Sequence, residues 1–379
     1  MNVLITSAAA NMIWQFNTRN IEILKSIGMN VFVATNFEKP GTISLNETEN
    51  FKKWLEEHNI LYQQIDFERG VGSIEGNVKA YKQLKNFTDE NQIDVIYSQS
   101  PIGGVISRIV GWKLKKTNVY MAHGFHFFKG APLLNWLLFY PIEYLLSFVT
   151  DVLLVINDED LRRANKMHAR KVQKVPGVGV NMQKFLSIDR SSRLKIRNEI
   201  RHSFEFKPED FVILNVGELS KRKNQKMLLK AVAELNDKNI KVMMAGIGPE
   251  KNNLQELAYD LGIDNQVLFL GFRDDISKLH YAADVNVFPS KQEGLALGGL
   301  ESVMNGLYIL GSDVRGIRDY IIDDTIGKVF NLHDTEGLKE QIRFVKENRP
   351  RVSDEAVQKL SDFDSSNVDE TMKKIFEEI

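Results

Sequence analysis

Stretches with the character of buried strands, each followed by one with helical spacing, recur along this chain. That alternation limits its possible folds more than any other feature. Residues 2–6 are a consecutive apolar strand, followed by the small-residue turn Ser7, Ala8, Ala9, Ala10, Asn11. A helix comes next, with Ile21, Leu24 and Ile27 on one face and Gly28 just past its end. Residues 31–34, 60–65, 93–97 and 119–122 read as further strands, and 46–58, 78–91 and 102–115 as the helices between them. The last of these would turn Val105, Ile106, Ile109 and Val110 inward. Residues 171–175 are the final short strand of this series. After residue 210 the rhythm resumes, with strands over 211–216, 241–245, 266–270, 285–290 and 308–310 and helices between and after them. Apolar strands joined by helices predict α/β architecture: parallel, doubly wound sheets with right-handed crossovers.

Length adds a domain count. A chain of 379 residues suggests two domains, and Pro176, Gly177, Val178, Gly179 and Val180 form the linker where the pattern pauses. The expected division is 1–178, 179–364 and a closing helix over 365–379. A hydrophobic content of 43% is that of a globular chain, and a net charge of −1 argues against nucleic acid as a partner. With no cysteine, disulfides and thiolate metal sites are excluded, which fits a reducing compartment. The first residues read as a strand rather than a signal peptide, and no apolar run reaches the ~20 residues of a membrane span.

Two acids carry the most chemistry. Glu293 and Glu301 flank the seven residues Gly294, Leu295, Ala296, Leu297, Gly298, Gly299 and Leu300. The layout is strand, acidic glycine-rich loop, helix start, acid one turn in. Amides at such a helix start can hold phosphate. Carboxylates repel phosphate, so the two glutamates are expected to take hydroxyls on either side of it. That suits a ligand of sugar, diphosphate and ribose. The plainer alternative is an ordinary strand-to-helix turn with two solvated glutamates.

Upstream, a strand runs into Gly217 and Glu218, and then three cations, Lys221, Arg222 and Lys223, open a helix. In the first half, His123 and Gly124 stand at the end of the strand over 119–122, where open α/β sheets bind ligands. A structural role for His123 is the alternative. Together these motifs resemble the retaining glycosyltransferases of family 4, which have the GT-B architecture. The resemblance spans nearly the whole chain.

The resemblance implies two Rossmann-like domains facing a cleft, an N-terminal one for the acceptor and a C-terminal one for a sugar nucleotide, with the last helix crossing back onto the first. It implies a UDP-sugar donor of a hexose or N-acetylhexosamine and no further cofactor or metal. Lys223 and Arg222, beside Gly217, would neutralise the departing diphosphate. Glu301 would take the ribose hydroxyls. Glu293 and the amides of Gly294, Leu295, Ala296 and Leu297 would hold the transferred sugar, with His123 touching it. The turn Gly271, Phe272, Arg273 would read the base through its backbone. Departures from the family pattern are Glu218 in place of an arginine, Asn181 in place of an acid, and alanines in the first turn. The acceptor would be a polyprenyl-diphosphate-linked saccharide of capsule or exopolysaccharide synthesis, in the cytoplasm or at the inner membrane face. A UDP-sugar epimerase and a non-catalytic sugar-nucleotide-binding protein are the rival readings.

Two further stretches bear on this. Residues 131–156 are unusually apolar, interrupted by Pro141 and Glu143. A buried helix plus strand is the favoured reading. The rival is an exposed patch that docks on anionic membrane with Arg108, Lys113, Lys115, Lys116 and Lys129. Asp158, Glu159 and Asp160 spell a D-x-D, but they open a helix, so capping and the helix dipole account for them without a metal.

Overall fold

The computed structural model describes residues 1–68 and 70–379. The chain forms two compact units, Met1–Val178 with Ser366–Ile379, and Gly179–Ser365. In the first, strands β1 (Asn2–Ser7), β2 (Asn30–Thr35), β3 (Leu61–Gln64), β4 (Val95–Gln99), β5 (Thr117–Ala122), β6 (Val152–Val155) and β7 (Lys171–Lys174) make a parallel sheet in the order β3-β2-β1-β4-β5-β6-β7. In the second, β8 (Phe211–Val216), β9 (Ile240–Ala245), β10 (Val267–Gly271), β11 (Val285–Phe288), β12 (Ile309–Ser312) and β13 (Gly327–Phe330) are parallel in the order β10-β9-β8-β11-β12-β13. The central strands are buried along their length, as helices on both faces require: every residue of β4 and β11 is buried. From Ser366 onward the helix Ser365–Glu377 belongs to the first unit, where Phe376 meets the buried Tyr97 ring edge-on at 5.3 Å.

Three expectations are corrected. The apolar stretch forms the helix Leu133–Ser147, with Pro141 inside it, but it is not buried. Leu133, Leu134, Leu137 and Leu145 are 66–73% exposed, and the helix's buried residues are Glu143 and Ser147. Second, Arg108 cannot meet a lipid headgroup. It is 1% exposed, pairs with Glu143 Oε2 at 2.8 Å and stacks 4.0 Å above the Tyr120 ring. A charge in an apolar helix here faces inward because a second charge 35 positions later meets it. Third, in the helix Pro101–Leu114, Ile106 and Val110 are buried, but Ile109 is exposed and Val105 half-buried. The helix Ile276–Ala282 and the edge strand β13 were not anticipated.

The acids after β6 are engaged by the protein. Asn157 caps the helix Asp158–Ala164 by accepting from the Asp160 amide. The buried Asp160 carboxylate accepts from the Phe125 amide at 3.0 Å, Asp158 pairs with Lys174, and Glu159 with Arg163.

Candidate functional site

In each sheet the strand order reverses once, between β1 and β4 and between β8 and β11. Loops leaving the carboxyl ends of two such strands diverge to opposite faces and leave a crevice, the usual ligand site of an open α/β sheet. In the second unit those loops are the basic turn after β8 and the acidic loop after β11.

The two loops are tied together. Lys223 Nζ donates to Glu293 Oε1 at 2.7 Å, and Arg222 Nη1 reaches Glu293 Oε2 at 3.2 Å and the Gln292 carbonyl at 3.1 Å. The Lys291 amide donates to the Arg222 carbonyl at 2.8 Å, and Asn224, in the left-handed region at φ 55°, donates to the Pro289 carbonyl. Glu293 is 6% exposed, so an acid expected to be available to a ligand is largely shielded by its own cations. Its backbone oxygen accepts from Arg315 Nε at 3.2 Å. Gly316 follows with φ +77°, and a Cβ there would come within 2.4 Å of the Gly294 carbonyl oxygen, so only glycine lets the two loops pack this closely. Arg222 also stands 3.8 Å from Glu218.

The loop turns into its helix through Ala296, whose φ of −80° and ψ of 82° make an inverse γ-turn. The Leu297 amide therefore donates to the Leu295 carbonyl at 3.0 Å. The Leu297 amide is thus already taken, which corrects its assignment to the sugar. Glu301 lies in the helix Leu297–Met304, half-buried; burial raises its pKa, with the charge of Lys184 opposing. Tyr320 stands behind the loop. A Cβ on Gly299 would lie 2.1 Å from its hydroxyl, and burial, reinforced by the Glu293 charge, keeps it a neutral phenol.

After β10, two places from β8 in the sheet, Gly271 takes φ +66° and its carbonyl accepts from the Gly246 amide. Arg273 is held by Asp275 through paired bonds of 2.8 and 2.7 Å. This turn leaves the 76%-exposed Phe272 ring and its backbone for a ligand.

In the first unit, His123 follows β5. Its Nε2 lies 2.6 Å from Gln99 Oε1, which also accepts from Asn17 Nδ2 at 2.8 Å. An acceptor oxygen assigns the proton to Nε2 and leaves Nδ1 as the ring's acceptor. Burial lowers the imidazole pKa to about 4, so His123 is neutral at pH 7. Sequence reasoning missed Gln99, Asn17, Arg315 and Tyr320. The signal for Gln99 was there: Ser98 and Gln99 are polar residues ending an apolar strand, at the ligand edge of the sheet.

Two all-parallel, doubly wound units, one with cations and acids joined across its switch point, define the GT-B class of sugar-transferring enzymes. Residues 7–157 match the family described as glycosyl transferase 4-like, and residues 196–361 match glycosyl transferases group 1. The EpsD protein of Bacillus subtilis is 36% identical over 273 residues, 70% of this chain and 71% of its own. The chain belongs to the GT-B glycosyltransferases of the family 4 type. The UDP-Gal:alpha-D-GlcNAc-diphosphoundecaprenol alpha-1,3-galactosyltransferase of Escherichia coli is 26% identical over 69% of this chain and 67% of its own. Anabaena HepE, solved in complex with UDP, shares the fold with a TM-score of 0.78 over 100% of both chains at 17% identity.

Proposed function

We propose that this glycosyltransferase moves a hexose or N-acetylhexosamine from a UDP-sugar to a polyprenyl-diphosphate-linked saccharide, with retention of configuration and without a metal. The observation that carries the reading is the Lys223–Glu293 pair at the switch point. An ammonium has three hydrogens, and Glu293 takes one, so two remain for diphosphate oxygens. A carboxylate has about four lone-pair positions. Lys223 and Arg222 use two of Glu293's, and hydroxyls of the sugar take others. Each partner thus holds the other in place while keeping capacity for the donor.

Glu301 accepts from the ribose hydroxyls, and the turn Gly271 to Arg273 receives the base. The amides of Gly294, Leu295 and Ala296 join Glu293 on the sugar. Neutral His123, in the first unit, keeps Nδ1 as an acceptor for a ligand hydroxyl. As the bond from the anomeric carbon to phosphate breaks, charge grows on the leaving oxygen, and preplaced Lys223 and Arg222 stabilise it. The acceptor hydroxyl forms the new bond on the same face and gives its proton to the departing phosphate. The anomeric configuration is kept without a covalent enzyme intermediate.

The relatives support the donor and acceptor classes: HepE is described with UDP-glucose, and the E. coli enzyme is named for a diphosphoundecaprenol substrate. The exposed leucines of the helix Leu133–Ser147, with Phe148, Lys113, Lys115 and Lys129 also exposed, support docking on an anionic membrane at its cytoplasmic face. No helix among the described residues is long and apolar enough to cross a bilayer.

A panel of nucleotide sugars screened by thermal shift identifies the donor, since a bound ligand stabilises by mass action. UDP release is then measured with and without a lipid-linked saccharide. Release that depends on acceptor supports transfer. Interconversion of UDP-sugars without acceptor would mean an epimerase, and UDP binding with no turnover a non-catalytic protein.

A further inference from the structure

The second unit contains a cavity of about 570 Å³ at the opposite end of its sheet from the crevice. Asp284, which lines it, immediately precedes β11, whereas Glu293 follows that strand. A cavity of this size accommodates a small organic ligand.

Its charge is unbalanced. Five arginines line it, Arg190, Arg193, Arg197, Arg349 and Arg351, against the single carboxylate of Asp284. Asp284 is 4% exposed and already meets Arg197 at 2.7 Å, Arg349 at 2.8 Å, Arg201 at 3.4 Å and Arg351 at 3.7 Å, and it accepts from the Val212 amide at 2.8 Å. Burial pulls the Asp284 pKa upward, but Arg197, the Val212 amide and Arg349 outweigh it and hold the carboxylate charged. One negative charge cannot neutralise four guanidiniums. The arginine side reports the same excess: burial, with Arg197 adding to it, lowers Arg351 to about 10. Arg193 donates to the Ile188 carbonyl at 2.8 Å and the Phe185 carbonyl at 3.1 Å but has Asp354 no nearer than 3.9 Å, and the Arg190 guanidinium has no protein partner among the described residues.

Two nearly buried polar atoms in the lining are unpartnered. Tyr281 is 5% exposed and its hydroxyl makes no hydrogen bond; Asn305 is 4% exposed and its Oδ1 accepts none. Asn305 is fixed, because its Nδ2 donates to the Glu301 carbonyl at 2.8 Å and lies 3.0 Å from His280 Nδ1. Buried polar groups left unpaired carry a desolvation cost, so an unpartnered donor and acceptor on two residues that line one cavity call for an explanation. A ligand that brings phosphate oxygens to the arginines and Tyr281, and a hydroxyl or amine to Asn305, supplies it.

We propose that this cavity is a second anion site, which takes a soluble organic phosphate with more than one negative charge and a hydroxyl- or amine-bearing body. It is separate from the donor crevice. Guanidinium forks match phosphate oxygens in pairs, which is why arginine rather than lysine suits such a site.

The test is calorimetry with tripolyphosphate and with fructose 1,6-bisphosphate, in the presence and absence of saturating UDP. Both probes are expected to bind in either condition. Arg190→Gln and Tyr281→Phe remove groups with no protein partner, so they should leave thermal stability intact and weaken fructose 1,6-bisphosphate about tenfold, the usual scale for one hydrogen bond to a charged group. Lys223→Ala should leave this binding unchanged. No binding by the unaltered protein, full binding by both cavity variants, or loss of binding in Lys223→Ala would each overturn the site. Reduced binding of Arg190→Gln to anionic vesicles would assign the arginines to lipid headgroups and overturn the soluble ligand.

Discussion

Lys223 Nζ and Glu293 Oε1 lie 2.7 Å apart although 70 positions separate them in sequence. The pair joins the turn after β8 to the loop after β11, two strands that neighbour each other at the switch point of the sheet. An ion pair here sets the position of Lys223, the cation proposed for the diphosphate, before any ligand arrives. Preorganised charge costs no rearrangement at the moment of reaction.

Removing the cation tests that role. Lys223→Ala should lower kcat by roughly tenfold or more, since ~1.4 kcal/mol of lost transition-state stabilisation is tenfold in rate. It should also lower thermal stability, because Glu293 stays buried and loses its Lys223 bond. Steady-state kinetics and thermal unfolding check both. An unchanged kcat would move leaving-group stabilisation to Arg222 or Lys221.

Glu301 sets a pH dependence. In the proposed role a ribose hydroxyl bonds more strongly to a charged acceptor than to a neutral one, and burial raises the Glu301 pKa above its ordinary 4.5. UDP affinity should therefore be full at high pH and fall on acidification, starting at a higher pH than an exposed carboxylate would give. Glu301→Gln should weaken UDP by ~1.5–3 kcal/mol and flatten that profile. For folding the sign is opposite. A raised pKa in the folded state means a stability contribution present at low pH and lost as pH rises, so Glu301→Gln should unfold no earlier than the parent at pH 7. A pH-independent UDP affinity in the parent would remove Glu301 from the ribose.

Arg108 and Glu143 form a buried pair, and the asymmetry of such pairs predicts the outcome of a mutant cycle. Arg108→Met leaves Glu143 buried without its cation and should cost ~3–5 kcal/mol, whereas Arg108→Met with Glu143→Leu should recover most of it. Denaturant unfolding reads the difference. Equal losses in the single and double variants would mean that arginine packing on Tyr120, not charge, is what matters.

These relationships also mark how far the sequence could be read. Strand β8 was legible because it is apolar but for Asn215, and its predicted bounds of 211–216 agree with the fold. Strand β13 was not, because Gly327, Lys328, Val329 and Phe330 form a short edge strand with a lysine in it. The residues of the crevice were legible through local motifs, but not that Glu293 would be closed over by Lys223. That contact depends on which strands adjoin, which local patterning does not encode. The helix Leu133–Ser147 failed for a related reason: apolar composition says what a segment carries, not what covers it. Its one buried acid pairs with an arginine on another helix, and no periodicity predicts that partner.

The exposed apolar face of that helix predicts peripheral binding. Each basic residue near an anionic surface adds about 1 kcal/mol, a contribution that salt screens. The protein should cosediment with anionic liposomes, less so at high salt, and hardly at all with neutral ones. Replacing Lys113, Lys115 and Lys116 by Gln, or Leu134, Leu137 and Leu145 by Ser, should reduce binding without unfolding, because neither leucine nor lysine changes touch the core. Absence of binding at low salt would remove the membrane from the account and leave the transferase in place.

The most direct test of the central claim, that the loop after β11 grips the sugar while the turn after β8 grips the diphosphate, is calorimetry of Glu293→Gln with UDP and with its intact UDP-sugar. Loss of a charged acceptor should weaken the UDP-sugar by about tenfold or more and UDP alone by clearly less. Equal losses for the two ligands would contradict it.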